Sequence, residues 1–405
     1  MTVAAPPFVR DGKTRLAYGG LSVYAYALYA LGPLLPLLRH DFRLSYSMMS
    51  AHSTVFAAGA ILANALIERL TGAFGYRRVF WTSLGTLVLG AALLAVGPSV
   101  AVTLSAAAVM GVSGALVQTT VLAVLAQHHG PLRERAIVEA NAGASAAALV
   151  APLVIGACQA AGVGWSPSML LPLVIAGGLY LTLGQETLRP RRSPTGEAAP
   201  AGRLPAAYWL LAALAGVVVG AEFCLVFYGS PQLTSSIGLT DGQAATAMSL
   251  FYGGELLGRL AGSRLSATRA TTTQLVLVSL AVTVVGFLLL WTSGSTVIAL
   301  AALLVTGLGI ANLFPLTLSL AVAAARGRTD QATARVQLIV AVSIMLAPLI
   351  LGTLSDHFGV RRSFAVEGVL LTAAVVLLLL GTAARRGRPA RVELQLASMD
   401  FTGDQ

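Results

Sequence analysis

Long apolar runs separated by short polar breaks fill most of the chain. Each run is close to the roughly 20 residues that cross a hydrocarbon core as one helix. Twelve spans are predicted, near 16–38, 46–69, 78–97, 100–126, 135–160, 166–184, 206–230, 242–263, 271–292, 295–323, 332–354 and 363–383. The longest polar break, Gln185 to Pro205, is rich in proline, glycine and charge and reads as a linker. The layout is therefore a tail at 1–15, a six-helix bundle at 16–184, a linker at 185–205, a second six-helix bundle at 206–384 and a tail at 385–405. The fold class predicted is an all-α polytopic membrane protein with twelve transmembrane helices in two pseudo-symmetric bundles.

The halves repeat. Gly111 in MGVSGA and Gly307 in TGLGIA are 196 residues apart, as are Ala151-Pro152 and Ala347-Pro348, each pair followed by a glycine at the same spacing. The segments Pro36…Leu44-Ser45 and Pro231…Leu239-Thr240 are 195 apart. Three matches at nearly one offset point to an internal duplication. Six spans per copy make the copies parallel.

Composition agrees with the bilayer as solvent. Hydrophobic residues make up 56% of the chain and charged ones 10%, against roughly a quarter charged in soluble domains. The net charge of +10 could suggest nucleic acid, but the basic residues sit in short clusters between apolar runs rather than on one face. With the N-terminus taken as cytoplasmic, all of the 26 Lys and Arg except Arg39, Arg43, Arg361 and Arg362 fall on the cytoplasmic side or at helix ends facing it. The positive-inside rule then places both termini and the linker in the cytoplasm of a cell-membrane protein. Cys158 and Cys224 lie inside apolar runs and form neither a disulfide framework nor a metal-site spacing. Lys13, in Pro7-x4-Gly12-Lys13-Thr14, lacks the first glycine and the strand of a phosphate-binding loop. ATP is excluded on that ground, and no cofactor, metal or catalytic centre is expected.

The breaks carry motifs. LTGAFGYRR after span 2 keeps Gly75, Arg77 and Arg78 of the pattern Gly-x-x-x-Asp-Arg-x-Gly-x-Arg-Arg, with Gly72 in place of the Asp. GRLAGSRL keeps Gly258 and Arg259, with Gly262 for the Asp, and a fuller copy, GTLSDHFGVRR, runs from Gly352 to Arg362. On these residues the chain resembles a major facilitator superfamily transporter over essentially its whole length. The Ala-Pro-x-x-x-Gly of span 5 is similar to the antiporter motif of the family's drug exporters, while Ala107 stands where many proton-driven exporters carry an Arg. The resemblance implies that spans 1, 4, 7 and 10 line a central cavity, and that spans 2 and 8 meet 11 and 5 across the two halves.

Ionisable groups at membrane depth are costly unless paired or hydrated, so each is informative. Glu222, within span 7, has no cation within a helical turn. Two readings fit it: a carboxyl that carries the coupling proton or faces a cationic solute, and one held neutral by a local hydrogen bond. Tyr18, Ser22, Tyr26 and Tyr29 share one stripe of span 1, suited to an amphipathic solute. Gln118, and Asn312 with Ser319, are further lining candidates, with interhelical hydrogen bonding as the alternative. On span 8, Tyr252, Glu255 and Arg259 share a face, and Glu255 can pair with Arg259. If spans 5 and 8 touch, Glu139 can reach Arg259. If spans 2 and 11 touch, Glu68, beside Arg69, can reach Arg335. Such pairs would latch the cytoplasmic side when the cavity opens outward.

The expected function is secondary active transport of a small organic solute by alternating access, as proton-coupled export of a lipophilic neutral or cationic drug or metabolite. The alternative is proton-coupled uptake of a sugar-like or nucleoside-like solute, and more remotely a non-transporting membrane sensor. The partners expected are the solute, protons and the lipid bilayer, with no nucleotide or nucleic acid, around a monomer.

Overall fold

The computed structural model describes residues 8–188, 204–265, 270–325 and 327–386. It is all-helical, with no strand among the described residues. The helices are α1 (Gly12–Phe42), α2 (Tyr46–Phe74), α3 (Tyr76–Val96), α4 (Val100–His129), α5 (Arg133–Ala160) and α6 (Leu171–Leu183) in the first lobe. The second lobe holds α7 (Ala206–Ile237), α8 (Asp241–Leu265), α9 (Thr272–Thr292), α10 (Thr296–Ile310), α11 (Leu313–Ala323), α12 (Thr329–Phe358), α13 (Val360–Ser363) and α14 (Ala365–Arg386).

Among the described residues, ten helical stretches are long and apolar enough to cross a membrane. One of them, Val100–Ala160, is two spans, α4 and α5, joined by a single tight turn. Outside the ten stands α8, which carries Asp241, Glu255 and Arg259. With those, the twelve spans are present. Span 10 breaks into α10 and α11 at Ala311–Asn312, three residues before Pro315, whose missing N–H cannot continue the ladder. Polar residues start the helices: Asp11 accepts from the Thr14 N–H, Ser45 from Met48, and Thr271 with Gln274 forms a capping box.

The duplication is visible in the packing. In the first lobe α1 packs on α5, α2 on α4 and α3 on α4; in the second α7 packs on α12, α8 on α10 and α9 on α10. The repeated glycines mark the equivalent crossings. A Cβ on Gly111 would collide with the carbonyl oxygen of Phe56 on α2, and one on Gly307 with that of Phe251 on α8. Backbones this close need the small residue, as is general in membrane helix packing. Gly307→Leu is expected to force α8 from α10 at a cost of about 1–3 kcal/mol or more, read as a lower midpoint in thermal unfolding in detergent.

The lobes meet through α2 with α12, α5 with α8, and α1 with α7 and α8. We call the side on which α1 begins the terminal face and the side on which it ends the opposite face. At the opposite face the carboxylate of Asp356 on α12 accepts from the backbone N–H of Tyr46 and Ser47 on α2. Deeper, Ser50 pairs with the Tyr228 hydroxyl and donates to the Pro348 carbonyl, and Thr54 donates to that of Met345. At mid-depth the Tyr252 hydroxyl donates to the Tyr29 carbonyl at 3.3 Å, and Arg259 donates to Ser145. Among the described residues no side-chain hydrogen bond or ion pair joins the lobes between that level and the terminal face.

A mid-depth carboxylate cluster as the candidate functional site

Helices α1 and α7 are the most enclosed spans, with almost all of their mid-helix side chains buried. The exceptions therefore face space inside the protein rather than lipid. They include Ser22 and Tyr29 on α1 and Glu222 on α7, all half-buried.

Glu222 is isolated on its own helix but not in space. It lies in electrostatic reach of Glu255 and Arg259, which come from the next helix, α8. Glu255 is only 2% exposed and its Oε2 stands 3.5 Å from the Arg259 guanidinium; its Oε1 has no hydrogen-bond partner among the described residues. Arg259 also donates to Ser145 on α5 and interacts with the Tyr29 hydroxyl on α1. The rings of Tyr29 and Tyr252 meet edge to face at 5.2 Å. Two carboxyls, one guanidinium and two phenols are thus gathered at mid-depth from three helices and both lobes. Arg259 can neutralise one carboxylate. Glu255, buried and paired, is its fixed counter-ion. Glu222 is the group left over, half-buried and with no hydrogen bond among the described residues.

The remaining expected residues divide. Tyr26 does not line the shared space: it is 2% exposed and turned into its own lobe, where its hydroxyl donates to the Ser168 carbonyl at 2.9 Å. A buried phenol is costly without an acceptor, and that carbonyl supplies one. Ser22 returns its hydroxyl to the Tyr18 carbonyl. Asn312 donates to the Gly258 carbonyl at 2.6 Å, so it ties α8 to the break in span 10. Gln118 is half-buried on α4, and Ser319 is exposed on α11.

The expected cross-lobe pairs on the terminal side are not formed in this arrangement. Arg259 is drawn up to Glu255, and Arg335 lies over the Trp209 ring at 5.4 Å within its own lobe. Glu68 and Arg69 are exposed at the terminal end of α2. Glu139 is held by Arg10 at 2.7 and 2.9 Å, by Arg135 at 3.2 Å and by the Tyr18 hydroxyl.

Arg10 is a residue the sequence reading passed over, because a charge in a tail has no visible partner. It belongs to a docked segment. Phe8 stacks on His129 with centroids 4.7 Å apart, and His128 meets Asp11 at 2.8 Å. These two histidines anchor the segment to the end of α4. Partial burial pushes the Asp11 carboxyl up, but bonds from Thr14 and His128 outweigh it and hold it below the ordinary aspartate range. Because the Arg10 side chain is exposed, Arg10→Ala is expected to leave the global unfolding transition almost unchanged. It should still release residues 8–14, seen as faster amide hydrogen exchange there with the transmembrane helices unchanged.

Two further buried ionisable groups, His52 and Glu367, lie apart from this cluster. His52 is a packed side chain bonded to Thr103 and the Met48 carbonyl. Glu367 is fully buried, and neither of its oxygens has a hydrogen-bond partner among the described residues.

A sequence model of the Major Facilitator Superfamily matches residues 17–230 and 211–400. The chain belongs to that superfamily. No curated protein matches it. Among solved structures it is similar to a bacterial homologue of the human lysosomal transporter Spinster in an inward-facing, unoccupied conformation, with a TM-score of 0.72 at 14% identity. That likeness covers 95% of this chain and 100% of the other. The inward-facing, occupied form of the same homologue gives 0.70 at 15% identity, again over 95% and 100%. A mutant of the nucleoside transporter NupG gives 0.72 at 13% identity, over 92% and 100%. At such identities the likeness is one of fold. This superfamily member is a multi-pass membrane protein with the architecture of a transporter.

Proposed function

We propose that the chain is a secondary transporter that exports a small lipophilic cation or neutral compound in exchange for protons. The observation that carries this reading is Glu222: a carboxyl facing the inter-lobe space at mid-depth, next to a Glu255–Arg259 pair that already satisfies its own charge. One site that holds either a proton or a cationic group gives exchange without further machinery, since binding of one excludes the other. Half-buried Tyr29, held edge to face against the buried Tyr252 ring, supplies apolar contact for such a solute. The excess of acid over base in the cluster favours a cation over the sugar-like or nucleoside-like solute of the uptake reading.

In this reading the terminal face is the cytoplasmic one, as the distribution of Lys and Arg predicts, and the domains run as the sequence divides them. Among the described residues, side-chain hydrogen bonds join the lobes at the opposite face and at mid-depth and none does so at the terminal face, which fits the inward-facing half of an alternating-access cycle. The test is transport in proteoliposomes. A fluorescent lipophilic cation should move against its gradient when a pH gradient is imposed, and collapsing that gradient should stop it. Cation movement independent of the pH gradient would overturn proton coupling.

A further inference from the structure

The two glycine corners in which the Gly-x-Arg-Arg motifs occur are built alike. α2 ends at Gly75 and α12 at Gly359, and both glycines adopt φ 77°, ψ 155°, a left-handed φ that favours glycine. Each is followed by one residue and two arginines, Tyr76-Arg77-Arg78 and Val360-Arg361-Arg362. Because α2 and α12 run in opposite directions, the corners stand on opposite faces.

They differ three residues before the glycine. One corner has Gly72, where an added Cβ would meet nothing within 4 Å. The other has Asp356. Its carboxylate reaches into the other lobe and accepts from the N–H groups of Tyr46 at 2.6 Å and Ser47 at 3.0 Å, the first two residues of α2. These are orphan donors at the positive end of a helix dipole. The ordinary cap of α2 is already supplied from its own lobe, by Ser45 accepting from Met48. Asp356 is therefore a second acceptor, brought by the partner lobe. Beside it Arg39 lies 3.8 Å from the Tyr46 ring centroid, and the single proton of the Tyr228 hydroxyl has two acceptors across the lobes, Ser50 and the Tyr46 carbonyl at 3.2 Å. Every one of these Asp356 and Tyr228 contacts must break for the lobes to part at this face.

We propose that Asp356 is a latch that holds the opposite face shut by binding the start of α2, biasing the resting protein towards opening at the terminal face. The proposal rests on alternating access but not on the solute or the coupling ion.

The test uses the full-length protein in nanodiscs without substrate, with Cys158 and Cys224 replaced and spin labels at positions 43 and 239 in the two opposite-face turns. Electron–electron distances report whether those turns separate. Asp356→Asn is expected to raise the separated population roughly five- to tenfold, the weight of a charge-assisted hydrogen bond at a partly exposed site. Ser47→Pro deletes one of the donors at a first-turn position where proline fits the helix, so it should act in the same direction and more weakly. Adding it to Asp356→Asn should change nothing further, because both remove one interaction. An unchanged distance distribution in Asp356→Asn, or full additivity of the pair, would overturn the latch. Should Asp356→Asn fail to fold, Ser47→Pro alone decides: no shift overturns the proposal. The readout involves no solute, so a negative transport assay in vesicles would count against the export reading and leave this result standing.

Discussion

Glu222→Gln is expected to abolish proton-driven accumulation while leaving the protein folded. The substitution keeps the shape and polarity of the side chain, and position 222 makes no hydrogen bond among the described residues that glutamine would lose. Stability should thus stay within about 0.5 kcal/mol of the parent. What disappears is the exchangeable proton. For one proton against one monovalent cation, a pH gradient of one unit is about 1.4 kcal/mol and sustains about tenfold accumulation. In proteoliposomes that ratio should fall to one in Glu222→Gln, with passive exchange of labelled solute persisting if the amide still admits it. Glu255→Gln should behave differently. It removes the counter-ion of Arg259 and leaves the guanidinium on Ser145 and Tyr29, so binding as well as coupling should suffer. Full proton-driven accumulation in Glu222→Gln would refute the assignment of Glu222 as the coupling group.

The contrast between these two acids shows what the sequence could and could not display. Glu255 and Arg259 are four residues apart, so helical geometry alone announces their pairing. Glu222 is on another helix, and its adjacency to them depends on how α7 packs against α8, which no local pattern encodes. The twelve spans were legible because the bilayer demands one coarse property, apolar length, and the duplicated glycines were legible because close crossings tolerate nothing larger. Tyr26 illustrates the limit. A stripe on a helix wheel does not say which neighbour it faces, and the turn whose Ser168 carbonyl receives Tyr26 comes from the far end of the same lobe. Asp356 was visible as a motif residue. Its partner was not, because a backbone N–H carries no sequence signature. Ser145 lies in an alanine-rich stretch that reads as packing, and only the approach of α8 reveals it as a partner of Arg259.

Arg259 supplies the second large effect. Arg259→Met should lower stability by about 3 kcal/mol, because it leaves Glu255, 2% exposed, without its cation. The figure belongs at the low end of the range for broken buried pairs, since the Arg259 side chain is itself 35% exposed and partly screened. The loss comes from the stranded carboxyl rather than from any net strength of the pair, and that distinction can be measured. The double variant Glu255→Gln/Arg259→Met removes both charges and replaces the guanidinium stem with an apolar side chain of similar reach. It should recover most of the lost stability in thermal unfolding while still failing to transport, because the fixed counter-ion arrangement that leaves Glu222 free for exchange has gone. If Arg259→Met were as stable as the parent, Glu255 would have to be satisfied by another group, and the division of labour between a structural and an exchanging carboxylate would fail. If instead the double variant transported normally, Glu222 would work without the pair, and the coupling site would be one residue rather than a cluster.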